Sequence, residues 1–168
     1  MILIRPEPQA VWPKSLSNAE WDKRYHIKFK GRSATSGEWL KKNPKLADRW
    51  HITYRNELVE IRFRLGLTSF KHVGIFPEQA VNWDYISESV KAIKNPKPKF
   101  LNLFAYTGGA SLIARAAGAE VTHVDSIKQV VTWANENQEL SGLQDIRWMV
   151  EDALKFVQRE LKRGNTYH

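Results

Sequence analysis

The sequence predicts an α/β protein in which a parallel sheet follows a small, mainly β N-terminal region. Three observations support this fold class. Residues 100–161 alternate short apolar strands with amphipathic helices, and residues 58–67 carry the period-two pattern of a half-buried strand. A doubled proline at residues 96 and 98 separates the two stretches. With 168 residues, of which 42% are hydrophobic and 26% charged, the chain can form one ordinary domain or two small ones.

The N-terminal region, residues 1–69, is predicted to be mainly β and basic. Residues 28–44 are turn-formers or charges with little to bury, and we expect a mobile basic loop there. Residues 58–67 alternate apolar with charged side chains, as in a half-buried strand, and residues 50–54 are β-prone. Asn56 and Glu57 are placed to close these two strands as an antiparallel hairpin.

Residues 70–168 are predicted to open with a helix, because Pro77 suits a first helical turn. Four apolar side chains follow at helical spacing: Trp83, Ile86, Val90 and Ile93. The doubled proline should end this helix and mark the main boundary in the chain.

Three strands are predicted after this boundary, at residues 100–104, 120–124 and 146–150. A helix should follow each strand, and Asp152 can cap the last one. The inner faces of the second and third helices are predicted to hold Ile127, Val130, Val131, Ala134, Leu140, Leu154, Val157 and Leu161. This alternation predicts right-handed crossovers and a parallel sheet.

The net charge of +8 is distributed unevenly. Residues 1–100 carry 19 basic and 10 acidic side chains, net +9, whereas residues 101–168 carry 7 basic and 8 acidic, net −1. Arg62 and Arg64, with Trp39, Trp50 and Tyr54 nearby in sequence, predict a surface for RNA phosphates and stacked bases. A merely solvated basic surface is the alternative.

Several classes of site are excluded or disfavoured by residue type. The absence of cysteine excludes a disulfide framework, a thiolate zinc site and a cysteine nucleophile within these residues. The histidines are scattered singly, so no metal is predicted. No apolar run has the length of a bilayer span or of a signal-peptide core, which predicts a cytoplasmic location. The oligomeric state is left open.

The turn after the first of these strands is the strongest candidate for a binding site. It consists of Phe104, Ala105, Tyr106, Thr107 and Gly108, and it leads directly into a helix. Such a turn offers backbone N–H groups and the positive end of a helix dipole to polar or anionic ligand groups. Tyr106 can line the ligand or wedge the loop against the Pro77 helix, and both interpretations stay open.

Carboxylates follow the next two strands at the same edge of the sheet. Asp125 comes seventeen residues after Gly108, where a carboxylate can accept both ribose hydroxyls. Glu151 and Asp152 follow the third strand. A dinucleotide site is disfavoured because the G-x-G-x-x-G spacing is absent, and a structural glycine turn with a capping acid is a further alternative.

Four motifs in order carry a family resemblance. Residues 101–111 are LNLFAYTGGAS, residues 121–125 are VTHVD, residues 133–137 are WANEN and residues 150–153 are VEDA. They resemble class I S-adenosylmethionine-dependent methyltransferases, and more narrowly the bacterial ribosomal RNA large-subunit methyltransferase group that includes 5-methylcytosine enzymes. Residues 3–10 and 70–79 resemble a branch of that group. The resemblance spans nearly the whole chain, is weakest over residues 28–48, and implies a Rossmann-like sheet.

The resemblance implies S-adenosylmethionine as cofactor and assigns its contacts. The methionine portion would lie against residues 104–108, while Asp125, assisted by Ser126, would hold the ribose hydroxyls. Asp152 with Ala153 would hold the adenine edge, with Glu151 as the undecided alternative to Asp152.

A segment that tends to close over the cofactor in this family would supply an aromatic face from Phe76 and an amide from Gln79. No catalytic residue is assigned, because the family's Asp-Pro-Pro motif and later cysteine do not occur in this sequence.

The function implied is methyl transfer to a base in RNA, ribosomal RNA in particular. We expect these residues to be the N-terminal, cofactor-binding portion of a longer enzyme, an incomplete methyltransferase fold with an apolar sheet edge at residues 101–104 and little activity alone. The alternative is a catalytically empty RNA-binding module whose α/β half only packs. Cofactor affinity separates the two.

Overall fold

The computed structural model describes residues 1–7, 10–33, 36–95 and 97–168. Five positions lie outside the described residues: Pro8, Gln9, Ala34, Thr35 and Pro96. They belong to the 3–10 motif, to the 28–44 segment and to the proline pair, so those predictions lie only in part within the described residues.

The chain divides into two compact units. The first comprises Met1–Trp50 with Leu65–Val73, and the second comprises His51–Arg64 with Gly74–His168. Residues 51–64 therefore belong to the second unit, whereas the sequence grouped them with the N-terminal region.

The first unit contains a three-stranded sheet that occupies most of the segment predicted as a mobile loop. Its strands are β1 (Leu3–Ile4), β2 (Ile27–Gly31) and β3 (Gly37–Lys41). β1 is parallel to β2, and β2 is antiparallel to β3. The loop prediction for residues 28–44 was wrong. Phe29 is buried and its ring packs edge-on against Trp39 at 5.0 Å, but the lysines on either side of Phe29 make the segment resemble a solvated loop in sequence. Helix α1 (Asn18–Arg24) precedes β2 and begins with a capping box.

The predicted hairpin is present. Strands β4 (Arg49–Arg55) and β5 (Glu60–Gly66) pair in a two-stranded sheet. Asn56 shapes the loop between them, since its Oδ1 accepts hydrogen bonds from the backbone N–H groups of Leu58 and Val59, both at 2.9 Å.

The second unit continues with helix α2 (Ala80–Ala92), which a 3-10 turn at Pro77–Gln79 precedes. Strands and helices then alternate: β6 (Lys99–Leu103), α3 (Gly109–Ala116), β7 (Glu120–Asp125), α4 (Lys128–Leu140), β8 (Ile146–Val150) and α5 (Ala153–Lys162). The strands form a parallel sheet in the order β6-β7-β8, which confirms the predicted α/β class. Within the described residues, β6 is an edge strand of this sheet, as expected.

The predicted boundary at residues 95–98 does not separate compact units. Helix α2 ends before it, with Ile93 as the C-terminal cap, as the sequence predicts. However, α2 packs against α3, so the second unit runs without a break from Gly74 to His168.

Two predicted core faces need correction. In α5, Leu154 and Leu161 are 66% and 78% exposed and Val157 is also exposed, whereas Phe156 and Glu160 are buried. Glu160 can be buried because its carboxylate accepts hydrogen bonds from three side chains, those of Arg163, Asn165 and Tyr167. Ile127 is 57% exposed because it occupies the N-cap, before the first turn of α4.

Side chains of α4 bond to the backbone of β5. Ser141 Oγ accepts from the Arg62 N–H at 3.0 Å and donates to the Arg62 carbonyl at 3.1 Å. The Arg64 N–H donates to Asn137 Oδ1 at 2.8 Å, and Trp133 Nε1 donates to the Arg64 carbonyl at 2.8 Å. Trp133 and Asn137 on α4 and Ser141 at its C-terminal cap are spaced four residues apart. Together they pair backbone groups of Arg62 and Arg64.

Over residues 1–7, 10–33, 36–95 and 97–168, no helix combines the length and the apolar character needed to cross a bilayer.

Candidate functional site

The turn between β6 and α3 has an unusual backbone. Phe104, Tyr106 and Gly108 have φ values of 54°, 52° and 90°, so alternate residues are left-handed. Glycine adopts this region freely, but each aromatic residue there costs about 1–2 kcal/mol. Strain of this kind persists where the surrounding structure enforces it, and it is common at ligand sites.

Asp125, at the carboxyl end of β7, enforces this turn. Its Oδ2 accepts the Tyr106 N–H at 3.0 Å, and its Oδ1 accepts the Ile127 N–H at 2.9 Å. A carboxylate oxygen can accept two hydrogen bonds, so each oxygen of Asp125 keeps capacity for one further donor.

Thr107 anchors the turn on its inner side and is 3% exposed. Its Oγ1 donates to the Gly74 carbonyl at 2.7 Å, and its own carbonyl accepts from Asn137 Nδ2 at 3.0 Å. The turn is therefore tied to both the segment before α2 and helix α4.

A cleft of about 300 Å³ lies against the turn, and we call it the turn cleft. Its lining includes six predicted site residues: Phe76, Gln79, Phe104, Ala105, Tyr106 and Thr107. The rings of Phe76 and Tyr106 lie 5.1 Å apart, and Phe104 is 81% exposed. Gln79 accepts from Asn82 Nδ2 at its Oε1, 2.8 Å away.

The remaining lining residues of the turn cleft are not among the site residues that the sequence predicts. They are Phe63, Ile75, Trp83, Asn102, Leu103, Gly109 and Ala110. Asn102 left a usable signal, because it is the one polar interruption of an apolar strand. Phe63 and Trp83 left none, since their place in the cleft depends on how the hairpin and α2 pack.

The other predicted residues lie at the neighbouring strand ends. Asp152 is the N-cap of α5, and its Oδ1 accepts the Lys155 N–H at 3.0 Å, so its second oxygen faces no donor in the described residues. Glu151 instead holds Arg159 with both carboxylate oxygens, at 2.6 and 2.5 Å. Of these two acids, Asp152 has the greater remaining acceptor capacity.

Five predicted site residues are not part of the cleft lining: Gly108, Asp125, Ser126, Asp152 and Ala153. Gly108 and Ala153 are buried, and Ser126 is exposed directly after Asp125. The structure brings together the turn, Asp125 and the Phe76 segment.

A row of polar side chains runs from Asn102 in the cleft lining to the buried Ser111 and His123. Asn102 Nδ2 donates to Ser111 Oγ at 2.9 Å, and Ser111 Oγ lies 3.0 Å from His123 Nδ1. His123 is fully buried, and its ring packs edge-on against Trp148 at 4.6 Å. Burial lowers the pKa of His123 from 6.5 to about 4, against an opposing contribution from the charge of Asp125.

Several residues of the expected RNA surface are engaged internally. Arg64 stacks on Trp133 and pairs with Glu136 at 2.6 Å. Tyr54 donates a hydrogen bond to Asp84, and burial followed by this bond raises the pKa of Tyr54 to about 12. Trp39 is packed within the first unit, so Arg62 is the exposed cation of this group on β5.

A family model described as S-adenosylmethionine-dependent methyltransferase matches residues 13–163. The chain is 34% identical over 100 residues to a ribosomal RNA large subunit methyltransferase K/L of Pseudoalteromonas translucida, which covers 58% of this chain and 14% of that protein.

Solved structures agree. A SAM-dependent methyltransferase from Agrobacterium tumefaciens aligns with a TM-score of 0.85 and 44% identity over 98% of this chain and 51% of its own. A methyltransferase solved with S-adenosylhomocysteine aligns with a TM-score of 0.63 over 77% of this chain and 33% of its own, and at 22% identity it supports the fold alone. The chain thus spans about half of the Agrobacterium protein and a small part of the curated relative.

Proposed function

Because the chain belongs to the S-adenosylmethionine-dependent methyltransferase family, we propose that it binds S-adenosylmethionine at the turn cleft for methyl transfer to a base in RNA. The substrate that we infer is large-subunit ribosomal RNA, the substrate named for the curated relative. Such a substrate places the enzyme in the cytoplasm.

The observation that carries this proposal is the geometry of Asp125. Two backbone N–H groups fix its carboxylate at the end of β7, and each oxygen keeps capacity for one more donor. A ribose presents two adjacent hydroxyl donors, so the residues present fit the cofactor. Ser126 directly follows Asp125 and is exposed, so its hydroxyl can assist Asp125 in binding the ribose.

The methionine portion of the cofactor is assigned to the turn itself. Gly109 and Ala110, the first residues of α3, line the cleft, so the positive end of that helix favours a carboxylate there. Phe104 and Ala105 line the turn cleft, and the buried Thr107 and Gly108 hold the backbone of the turn in place. Phe76 and Tyr106 supply adjoining aromatic surfaces that exclude water from the ligand.

The adenine edge is assigned to Asp152 and Ala153. Asp152 has a carboxylate oxygen that can accept a hydrogen bond from the exocyclic amine, whereas Glu151 is held by Arg159. Gln79 has an amide nitrogen to offer the ligand, because Asn82 occupies only its oxygen.

The bound cofactor supplies an electrophilic methyl group on a sulfonium sulfur. The share of the reaction that falls to this chain is therefore orientation: its residues hold the ligand in one pose and exclude water. We propose that RNA is held through the basic N-terminal region, residues 1–69, which carries 14 basic and 7 acidic side chains.

Calorimetric titration of the 168-residue chain with S-adenosylhomocysteine tests the proposal, with NAD as the control ligand. We expect saturable binding of the first ligand only. Asp125→Ala should weaken it about 100-fold, because two charge-assisted hydrogen bonds are lost. Glu88→Ala, which removes an exposed carboxylate on α2, is the matched control and should leave the affinity unchanged. Equal binding of both variants, or no binding by the parent chain, would favour the catalytically empty module.

A further inference from the structure

A second and larger cleft lies wholly within the first unit. It measures about 910 Å³, and we call it the N-terminal cleft. Residues from the chain start, α1 and β2 line it, among them Arg5, Glu7, Trp12, Lys14, Trp21 and Asp22. The volume lies at the upper end of the range typical of ligand sites.

The charges around this cleft do not cancel. Glu7 pairs with Lys71 at 3.2 Å, and Asp22 pairs with Lys28 at 3.1 Å, so both acids of the lining already face a cation. Lys14 donates to the neutral Asn18 side chain at 2.7 Å and keeps its charge uncompensated. The cleft therefore favours an anionic ligand.

Arg5 strengthens this inference. Its Nη1 is shielded from solvent and has no hydrogen-bond partner in the part of the chain that the structure describes. A guanidinium N–H that is removed from water without an acceptor is unfavourable. Arg5 belongs to the cleft lining, so a rotation of its side chain toward the cleft would bring this N–H to a phosphate oxygen. Phosphate matches the planar donor pattern of arginine.

The aromatic side chains indicate what kind of anion fits. Trp12 is 71% exposed although it belongs to the cleft lining. Trp39 and Trp133, by contrast, each donate an indole N–H to a backbone carbonyl inside the protein. An exposed indole beside uncompensated cations is the combination that binds single-stranded nucleic acid, because a base stacks on the ring while the cations hold the phosphate.

We propose that the N-terminal cleft binds a nucleotide of single-stranded RNA, with the phosphate on Arg5 and Lys14 and the base stacked on Trp12. This assignment rests on the proposed function for the identity of the polymer as RNA. It places one RNA contact at a defined cleft rather than across the whole basic N-terminal surface.

Fluorescence anisotropy of a short, labelled single-stranded RNA with the full 168-residue chain tests the assignment. Arg5→Gln and Trp12→Ala should each weaken binding about tenfold, and Trp12→Phe should recover most of the loss. Arg5→Gln should also reduce the slope of log affinity against log salt by about 0.7, which a purely structural role would not do. Lys94→Gln and Tyr85→Ala, which remove an exposed cation and an exposed aromatic ring in the second unit, are the matched controls and should change the affinity less than twofold.

Equal affinity of Arg5→Gln, Trp12→Ala and the parent chain would overturn the assignment. A loss of the same size in Lys94→Gln would also overturn it, in favour of diffuse charge. Inorganic polyphosphate that binds as tightly as RNA without dependence on Trp12 would contradict the assignment of the cleft to a nucleotide.

S-adenosylhomocysteine titration of the same samples shows whether each variant is folded, and it separates this inference from the proposed function. If the parent chain binds RNA but the variants match it, only this inference fails. If the parent binds no RNA, the RNA part of the proposed function fails as well.

Discussion

Asn137 on helix α4 donates a hydrogen bond from its Nδ2 to the backbone carbonyl of Thr107, 3.0 Å away. The same side chain accepts from the Arg64 N–H at 2.8 Å and is fully buried. One amide therefore joins the strained turn of residues 104–108 to strand β5. The geometry of the turn depends on a residue that does not line the turn cleft.

Asn137→Ala should lower the free energy of unfolding by about 2–4 kcal/mol, because it leaves a buried carbonyl and a buried N–H unpaired. Urea denaturation measures this. Asn135→Ala on the same helix is the control, because Asn135 makes no side-chain hydrogen bond in the described residues, and it should cost less than about 0.5 kcal/mol. Equal stability of the two variants would show that the Asn137 bridge contributes nothing.

Stability should fall on mild acidification because of His123. Its pKa in the fold is lowered to about 4 from 6.5, so the unfolded chain takes up the proton first. The stabilisation is complete above the ordinary pKa and is lost as the pH falls below it, by about 2 kcal/mol between pH 7 and pH 5.

Urea denaturation at a series of pH values, on the parent and on His123→Gln, measures this dependence. The variant should lose that slope whatever its absolute stability. His51→Gln removes an exposed histidine and should keep the slope. A parent curve that is flat over this range would contradict the buried, neutral histidine.

Gly74 should not tolerate alanine. Its φ is +98°, and an added Cβ would lie 2.3 Å from Cζ2 of Trp133. Gly118 has a similar φ of +110° but nothing within 4 Å of an added Cβ, so the pair separates backbone strain from collision.

We expect Gly118→Ala to cost about 1–2 kcal/mol of unfolding free energy, from the left-handed backbone alone. Gly74→Ala should cost clearly more, because Trp133 must move and its bond to the Arg64 carbonyl is disturbed. Thermal and urea unfolding of both variants give the comparison. Similar costs would mean that the contact with Trp133 relaxes freely.

Asp152 and Glu151 should differ in their effect on base recognition. Asp152→Asn replaces an acceptor by a donor and should weaken S-adenosylhomocysteine binding about tenfold, with a smaller loss for the hypoxanthine analogue S-inosylhomocysteine. Glu151→Gln is the control and should leave the affinity within about twofold, since that carboxylate faces Arg159. Calorimetry with both ligands measures the ratio, and a reversed order of the two variants would assign the adenine edge to Glu151.

The parallel sheet, the hairpin and the position of Asp125 at the sheet edge were predictable, because each is encoded locally. Period-two alternation marks β5, and a carboxylate directly after a strand must lie at the sheet edge. The strands β2 and β3 were missed because lysines surround Phe29 and hide the alternation. The face of α5 was missed because burial of Glu160 depends on partners at residues 163–167.

The site was only partly predictable for a similar reason. Residues 104–108 are contiguous and lie between a strand and a helix. Trp83 and Phe63, whose rings stack on each other at 5.4 Å, also line the turn cleft. They come from separate segments, and nothing in their local sequence predicts this position. Phe104 and Tyr106 have a left-handed backbone, which aromatic residues rarely adopt. The sequence does not predict this conformation, because it depends on the hydrogen bond from the Tyr106 N–H to Asp125.

The hydrogen bonds between the α4 side chains and β5 also fix the position of β5 along the helix. Four residues of a helix advance about 6 Å and two residues of a strand about 6.6 Å, so Asn137 and Ser141 meet Arg64 and Arg62 with matching spacing. A strand displaced by one residue would turn Phe63 outward and offer these polar groups no partner. An insertion or deletion in the 56–59 loop should therefore be absorbed in the loop itself, because the strand cannot slide.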